Sequence, residues 1–379
     1  MNNNVASSII IGGATASGKT ALAINLANKL RYKYGIDAEI VNADSVQMYS
    51  DLKILTAYPS DDELHKVKHN LLGILDPYGS SSVSSWLDLA QKEIKRIHHD
   101  KKIAIVCGGT GFYIRALLNG VADIPQIPES VREYVQNHFK ELGRDQFFEK
   151  LSKLDPISAQ KLHKNDTQRI LRAYEVVLYT GKSLSEWWEA SKNKKNVENV
   201  KNNAENKEKN EDNEKNMETI TTTLVPITLI PTIILHPEKE KIRERARIRI
   251  QKMIEQGAIE EVNEFNKKYP NYDGALREVI GYREISEFLQ NLQHNKKNNK
   301  NEFTHDKRKL IENKLIEKMC VRTNQYIKRQ STWFRNQLKN AKFINEFGDK
   351  SDILEEVFEY LTKCIYRPII NCNGQKTAE

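Results

Sequence analysis

The chain has 379 residues, of which 39% are hydrophobic and 29% charged, and carries a formal net charge of +8. It is long enough for more than one domain and apolar enough to bury a sizeable core. No window approaches the ~18 uninterrupted apolar residues of a membrane span. The start, Met1–Asn4, lacks the basic and apolar parts of a secretory signal. Four scattered cysteines (Cys107, Cys320, Cys364 and Cys372) form no C-x2-C pair, which argues against a disulfide scaffold and a structural zinc site and fits a reducing cytoplasm.

Ser8–Ile11 is a short apolar run ending at Gly12-Gly13 and predicts a buried strand. Ala21–Leu30 follows with helical spacing. Ala38–Val41 and Lys102–Cys107 predict two more strands, ending at Asn42-Ala43-Asp44-Ser45 and at Gly108-Gly109-Thr110-Gly111. Strand, polar loop and helix thus recur, the pattern of a parallel α/β sheet with ligands at the carboxyl ends of its strands. Residues 123–190 change character: helical patterns over Glu129–Leu142, Arg144–Leu154, Asp166–Tyr179 and Leu184–Trp188 predict a separate helical insertion. Residues 191–218 are rich in Asn and charge, cannot offset their ordering entropy by burial, and are expected to be disordered; Asn291–Asn301 has similar composition. Pro226 and Pro231 confine the next strand to Thr232–Leu235. Glu238–Tyr269 reads as one long amphipathic helix. A basic stretch from Lys307 to Asn340 is helical at least in part. The expected layout is therefore a P-loop-like α/β core from 1–122 and 220–345, with 346–379 as a C-terminal extension.

Three segments can carry chemistry. Gly13-Ala14-Thr15-Ala16-Ser17-Gly18-Lys19-Thr20 matches Gly-x4-Gly-Lys-Ser/Thr, after a strand and opening a helix. Its glycines let N–H groups surround phosphate oxygens, the helix offers its positive end, Lys19 adds a charge, and the Thr20 hydroxyl can ligate Mg²⁺. The motif identifies a diphosphate or triphosphate site without identifying ATP. Asp44 stands beyond the second strand, where it serves either as a proton acceptor or as a helix cap. Thr110 lies in a glycine-rich loop that is either ligand-facing or a plain strand-to-helix turn. Basic clusters at Gln168-Arg169 with Arg172, at Gly281-Tyr282-Arg283 and at Lys328–Arg335 suit a polyanion, although a solvated helix face explains such charge equally well. Trp333 and Phe334 read first as core residues.

The ordered set of motifs resembles the tRNA dimethylallyltransferase (tRNA isopentenyltransferase) family. It comprises Gly13–Thr20, Asp44–Tyr49, Thr56-Ala57, Gly108–Ile114, Asn165–Arg172, Gly181-Lys182-Ser183, Ile280–Glu284 and Lys328–Arg335. The resemblance implies transfer of a dimethylallyl group from its diphosphate to N6 of the adenosine 3′ to the anticodon, with release of pyrophosphate. It implies that Gly13, Thr15, Ala16, Ser17, Gly18, Lys19, Thr20 and Arg283 hold the donor's diphosphate with Mg²⁺. Asp44 would take the N6 proton beside Thr110. Ser45, Val46, Gln47, Arg132, Gln168, Arg169, Ile170, Leu171, Arg172, Lys328, Arg329, Gln330, Trp333 and Arg335 would meet the anticodon stem-loop of the tRNA. The chain departs from the family at Ala14, where proline is common, and at Tyr58, where lysine is usual. A cytoplasmic monomer with no membrane association is expected. The competing readings are an adenylate isopentenyltransferase, which would need no tRNA surface, a P-loop small-molecule kinase, which would leave the basic C-terminal half without a role, and an RNA-binding protein without enzymatic activity.

Overall fold

The computed structural model describes residues 8–191, 230–298 and 305–365. The chain forms two compact units, Met1–Asn119 with Thr222–Glu379, and Gly120–Thr221. The low-complexity segment lies almost wholly outside the described residues.

The first unit is built on a six-stranded sheet of order β3-β2-β4-β1-β5-β6. The strands are β1 (Ser8–Gly13), β2 (Ala38–Asn42), β3 (His69–Asn70), β4 (Ile103–Gly108), β5 (Thr232–Leu235) and β6 (Lys342–Ile344). Every pairing is parallel. Strands β1 and β4 are buried along their whole length, which is why they read as continuous apolar runs. Helices α1 (Lys19–Tyr34), α2 (Asp61–Lys66), α3 (Val83–His99) and α4 (Gly111–Asn119) follow the early strands. Leu22, Leu26 and Leu30 of α1 pack with Ile9, Ile11, Ile103 and Ile105 of the sheet.

The second unit holds α5 (Glu129–Leu154), α6 (Pro156–Lys161), α7 (Thr167–Thr180) and α8, residues 184–191. Gly143 breaks the helical path inside α5, as its sequence pattern requires. Phe147, Leu151, Val135, Ile170 and Tyr174 form the core of this unit. Buried Asp155 accepts from the Ser158 and Leu184 amides, tying the starts of α6 and α8 together.

Three expectations are corrected. Glu238–Tyr269 is not one helix but α9 (Lys239–Glu255) and α10 (Ala258–Lys268), because Gly257 takes φ 97° between them. Asn291–Asn298 is helical, continuing α11 (Tyr282–Asn298): Leu289 and Leu292, one turn apart, pack on the neighbouring core despite the polar composition around them. Residues 299–301 lie outside the described residues. The stretch after residue 345 is not a separate extension as far as Ile365. Helix α13 (Ser351–Ile365) places Ile353, Val357, Phe358 and Leu361 in the core beside α1. Helix α12 (His305–Gln337) carries the basic stretch. Among the described residues no helix is long and apolar enough to cross a membrane.

Glu39 of β2 is a buried carboxylate facing Arg96, Lys102, Lys68 and Asn70. Burial alone would raise its pKa. The hydrogen bonds from Arg96, Lys102 and Asn70 outweigh that and hold it down to about 2, against 4.5 unperturbed. A depressed folded-state pKa gives stability that is present above the unfolded pKa and lost as pH falls through the folded one. Unfolding free energy should therefore decline between pH 4.5 and about 2. In Glu39→Gln that slope should flatten, with a loss at neutral pH of about 1–3 kcal/mol. Denaturant titrations across this range check both; an unchanged slope would remove Glu39 from the acid response.

Candidate active site

The loop between β1 and α1 closes over the carboxyl end of the sheet. Ala16 and Gly18 take left-handed φ of 64° and 87°, and Gly13 φ of 152°, a run of turns of the kind that can aim backbone amides at an anion. Lys19 opens α1, and its Nζ donates to the Ala14 carbonyl at 2.8 Å. The Thr15 amide donates to Oε1 of Gln330 at 2.9 Å, and Nε2 of Gln330 donates to the Gly109 carbonyl at 2.9 Å. Gln330 therefore bridges the phosphate-type loop and the Gly108–Gly111 loop from α12.

Asp44 follows β2. Its amide donates to Asn42 Oδ1, and its own Oδ1 accepts from the Val46 amide at 3.2 Å. The Thr110 hydroxyl accepts from the Ser45 amide at 3.0 Å and donates to the Ser45 hydroxyl, so the Asp44 and Thr110 loops are stitched together. Asp44 thus has cap-like bonds and also faces the site. Burial pushes its carboxyl upward; the nearby charges of Lys19 and Arg249 and the amides of Val46 and Gly109 oppose that. Burial lowers Lys19, with Asp44 acting the other way. Each group is thus the other's counter-charge in a dry setting.

The second cation of this cluster is Arg249 of α9, which the sequence reading did not single out. Its guanidinium donates to Thr15 Oγ1 at 3.3 Å and is lowered by burial while Asp44 raises it. The available signal was its position: Arg249 follows buried Ala246 by three residues and precedes buried Ile250, at the margin of the helix's apolar stripe. Arg283, expected at the diphosphate, is not brought there. It is half exposed on α11, pairs with Glu278, and lines an open polar cavity of about 1150 Å³ with Asn266, Tyr269 and Arg277, whose lining holds no residue of the Gly13–Thr20 loop.

The expected tRNA contacts divide by exposure. Gln168 and Arg169 are exposed on α7, with Arg169 paired to Asp166; Arg172 pairs with Glu175, and Arg132 of α5 with Glu129. Lys328, Arg329 and Arg335 are exposed on α12. Three of these side chains are engaged within the protein. Ile170 is fully buried, Leu171 packs on the same core, and Gln330 is spent on the two loops. Gln47 donates to the Thr56 and Ala57 carbonyls, and Val46 packs against an apolar cluster, so both act on the local loop. Trp333 is half buried and Phe334 is a core residue. Lys53 Nζ lies 5.2 Å from the Tyr58 ring. Cys107 is an inert buried thiol, pushed up to about 12 chiefly by burial.

Residues 47–337 match the sequence profile of the IPP transferase family. The chain is 35% identical over 330 residues to a tRNA dimethylallyltransferase of Pelagibacter ubique, covering 87% of this chain and 88% of that protein. The chain belongs to the tRNA dimethylallyltransferase family. A tRNA dimethylallyltransferase of Rhizobium etli is 32% identical over 89% of this chain and 96% of its own length. Among solved structures, a full-length tRNA isopentenylpyrophosphate transferase from Bacillus halodurans superposes with a TM-score of 0.59 at 25% identity, covering 95% of this chain and 96% of that one. A eukaryotic dimethylallyltransferase acting on tRNA gives 0.64 at 25% identity, covering 89% and 74%. Family membership fits the parallel sheet and the loop-and-carboxylate cluster at its carboxyl edge.

Proposed function

We infer that this chain transfers the dimethylallyl group of dimethylallyl diphosphate to tRNA, at N6 of the adenosine 3′ to the anticodon. The observation that carries this reading is the convergence of Lys19 and Arg249 on one phosphate-type loop with a single carboxylate, Asp44, facing both. Two cations on a phosphate-type loop favour a diphosphate leaving group. The allylic C–O bond breaks with its electron pair moving to the departing pyrophosphate, whose charge Lys19, Arg249 and the loop amides stabilise. N6 supplies the electron pair for the new N–C bond, and its proton passes to Asp44. A carboxylate raised by burial suits that acceptance. Thr110 holds the Asp44 loop in place through Ser45.

Among the described residues no cluster of three His, Cys, Asp or Glu could hold a metal ion. The Thr20 hydroxyl, at the start of α1, suits a Mg²⁺ that arrives with the diphosphate rather than a resident ion. Bound there, Mg²⁺ would offset phosphate charge. The exposed cations of α5 and α7 in one unit and of α12 in the other are suited to tRNA backbone. The protein is read as a cytoplasmic monomer.

The test is incorporation of radiolabelled dimethylallyl diphosphate with Mg²⁺, using unmodified tRNA and AMP as parallel acceptors. Label is expected in tRNA and not in AMP. Label in AMP alone would overturn the tRNA reading, and label in neither would overturn the transfer itself.

A further inference from the structure

The segment that follows β6 runs against the phosphate-type loop. The Gly348 amide donates to the Ser17 carbonyl at 3.0 Å. A Cβ on Gly348 would lie 2.7 Å from the Gly18 carbonyl oxygen and 2.9 Å from Leu22 Cβ, so this close approach admits only glycine. From the other side, a Cβ on Gly18 would lie 2.9 Å from the Gly348 amide and 3.1 Å from that of Asp349. Phe347 packs on Ala14, Ala16, Ile242, Ala246 and Ile327. Asp349 accepts from both terminal nitrogens of Arg245, at 2.7 and 3.0 Å, and that guanidinium sits 4.7 Å from the Phe347 ring. Arg245 is one helical turn before Arg249 on α9, and Arg249 reaches Thr15 of the same loop. Helix α9 thus holds the loop at two points, directly through Arg249 and indirectly through Arg245, Asp349 and Gly348.

We propose that Asp349 is a positioning residue for the diphosphate loop, acting through its two-pronged bond to Arg245 to keep Gly348 docked on Ser17. This rests on the reading that the loop binds a diphosphate. The loop needs such a device because Ala16, a residue with a Cβ, sits at φ 64° and local preference alone does not hold it there. Without the clasp the binding-ready loop is populated for a smaller fraction of the time. Apparent affinity falls by that fraction, whereas turnover of the bound complex does not. Pairing with Arg245 also keeps the Asp349 carboxyl below its ordinary value, so the bond persists through the neutral range.

The experiment uses the full chain with Asp349→Asn, Arg245→Gln, the double variant and Asp349→Glu. It measures calorimetric Kd for inorganic pyrophosphate, KM for dimethylallyl diphosphate, KM for tRNA, kcat and Tm. In Asp349→Asn the pyrophosphate Kd and donor KM should rise about three- to tenfold, with tRNA KM and kcat within about twofold. The double variant should be no weaker than the worse single one, because both act through one bond. Asp349→Glu should recover part of the affinity. Unchanged pyrophosphate Kd in both single variants would overturn the proposal, as would equal rises in donor and tRNA KM, or a lowered Tm with Kd intact. A wild-type chain that binds pyrophosphate but labels no tRNA would sink the transfer reading, while the pyrophosphate comparison still decides the clasp. A wild-type chain that does not bind pyrophosphate overturns both.

Discussion

Asp44→Asn should leave tRNA binding nearly intact and lower turnover by about 10²–10⁴, the range for loss of a general base. Asparagine keeps an oxygen that can accept from the Val46 amide, so the loop between β2 and the Val46–Met48 turn should hold its shape. It cannot take the N6 proton. The pH profile separates this role from a structural one. Asp44 must be ionised to act, and burial raises its pKa above 3.8. The rate should therefore climb with pH through that raised value, with an acid limb above the ordinary carboxylate range. That limb should vanish in Asp44→Asn. Single-turnover kinetics on a preformed tRNA complex would check the size of the loss. Wild-type turnover in the variant would remove Asp44 from the chemistry.

The same physics makes Asp44 and Lys19 interdependent. Each is shifted toward its neutral form by burial and held back by the other's charge. A bound diphosphate adds negative charge beside both, which supports Lys19 as a cation and favours the protonated form of Asp44. Donor binding therefore strengthens the carboxylate as a base at the moment an acceptor amine must lose its proton.

Local chemistry was legible in the sequence, and long-range convergence was not. The Gly13–Thr20 loop, Asp44 and Thr110 stand at strand ends, and buried strands announce themselves as apolar runs, so β1, β2, β4 and β5 could be read with their loops. Strands β3 and β6 span two and three residues and leave no periodicity to detect. Arg249 and Gln330 reach Thr15 across 234 and 315 residues of chain. Locally Arg249 shows only its place at the edge of an apolar stripe and Gln330 only its membership of a basic motif, and neither reveals a contact with Thr15 until α9 and α12 pack on the loop. Gly281–Glu284 presents the opposite case. The motif is compact and holds one arginine, but Tyr282 and Glu284 are the side chains it buries. Glu284 accepts from the Gly281 amide and from Arg322, whereas Arg283 faces outward. A motif marks where a chain is constrained; the direction of each side chain then decides whether the constraint is catalytic or structural.

Arg249→Gln and Arg283→Gln should consequently behave very differently. Loss of the Arg249 charge removes one of the two cations that face the leaving group in a water-poor site, and kcat/KM for dimethylallyl diphosphate should fall about 10²–10³-fold. Arg249→Lys should recover only part of this, since an ammonium lacks the planar fork that can hold Thr15 and a phosphate oxygen together. Arg283→Gln should stay within about twofold of wild type, because the half-exposed pair it forms with Glu278 contributes little in high dielectric. Steady-state kinetics with donor varied at saturating tRNA compares the variants directly. The reverse pattern, with Arg283 essential and Arg249 dispensable, would mean that the diphosphate lies toward the α10–α11 cavity rather than on the Gly13–Thr20 loop. Lys19 and Asp44 would then have to be explained without it. That alternative is costly: Lys19 and Arg249 are both buried at the Gly13–Thr20 loop with Asp44 as the counter-charge they share, and the second buried cation lacks an anion of its own unless one occupies the loop.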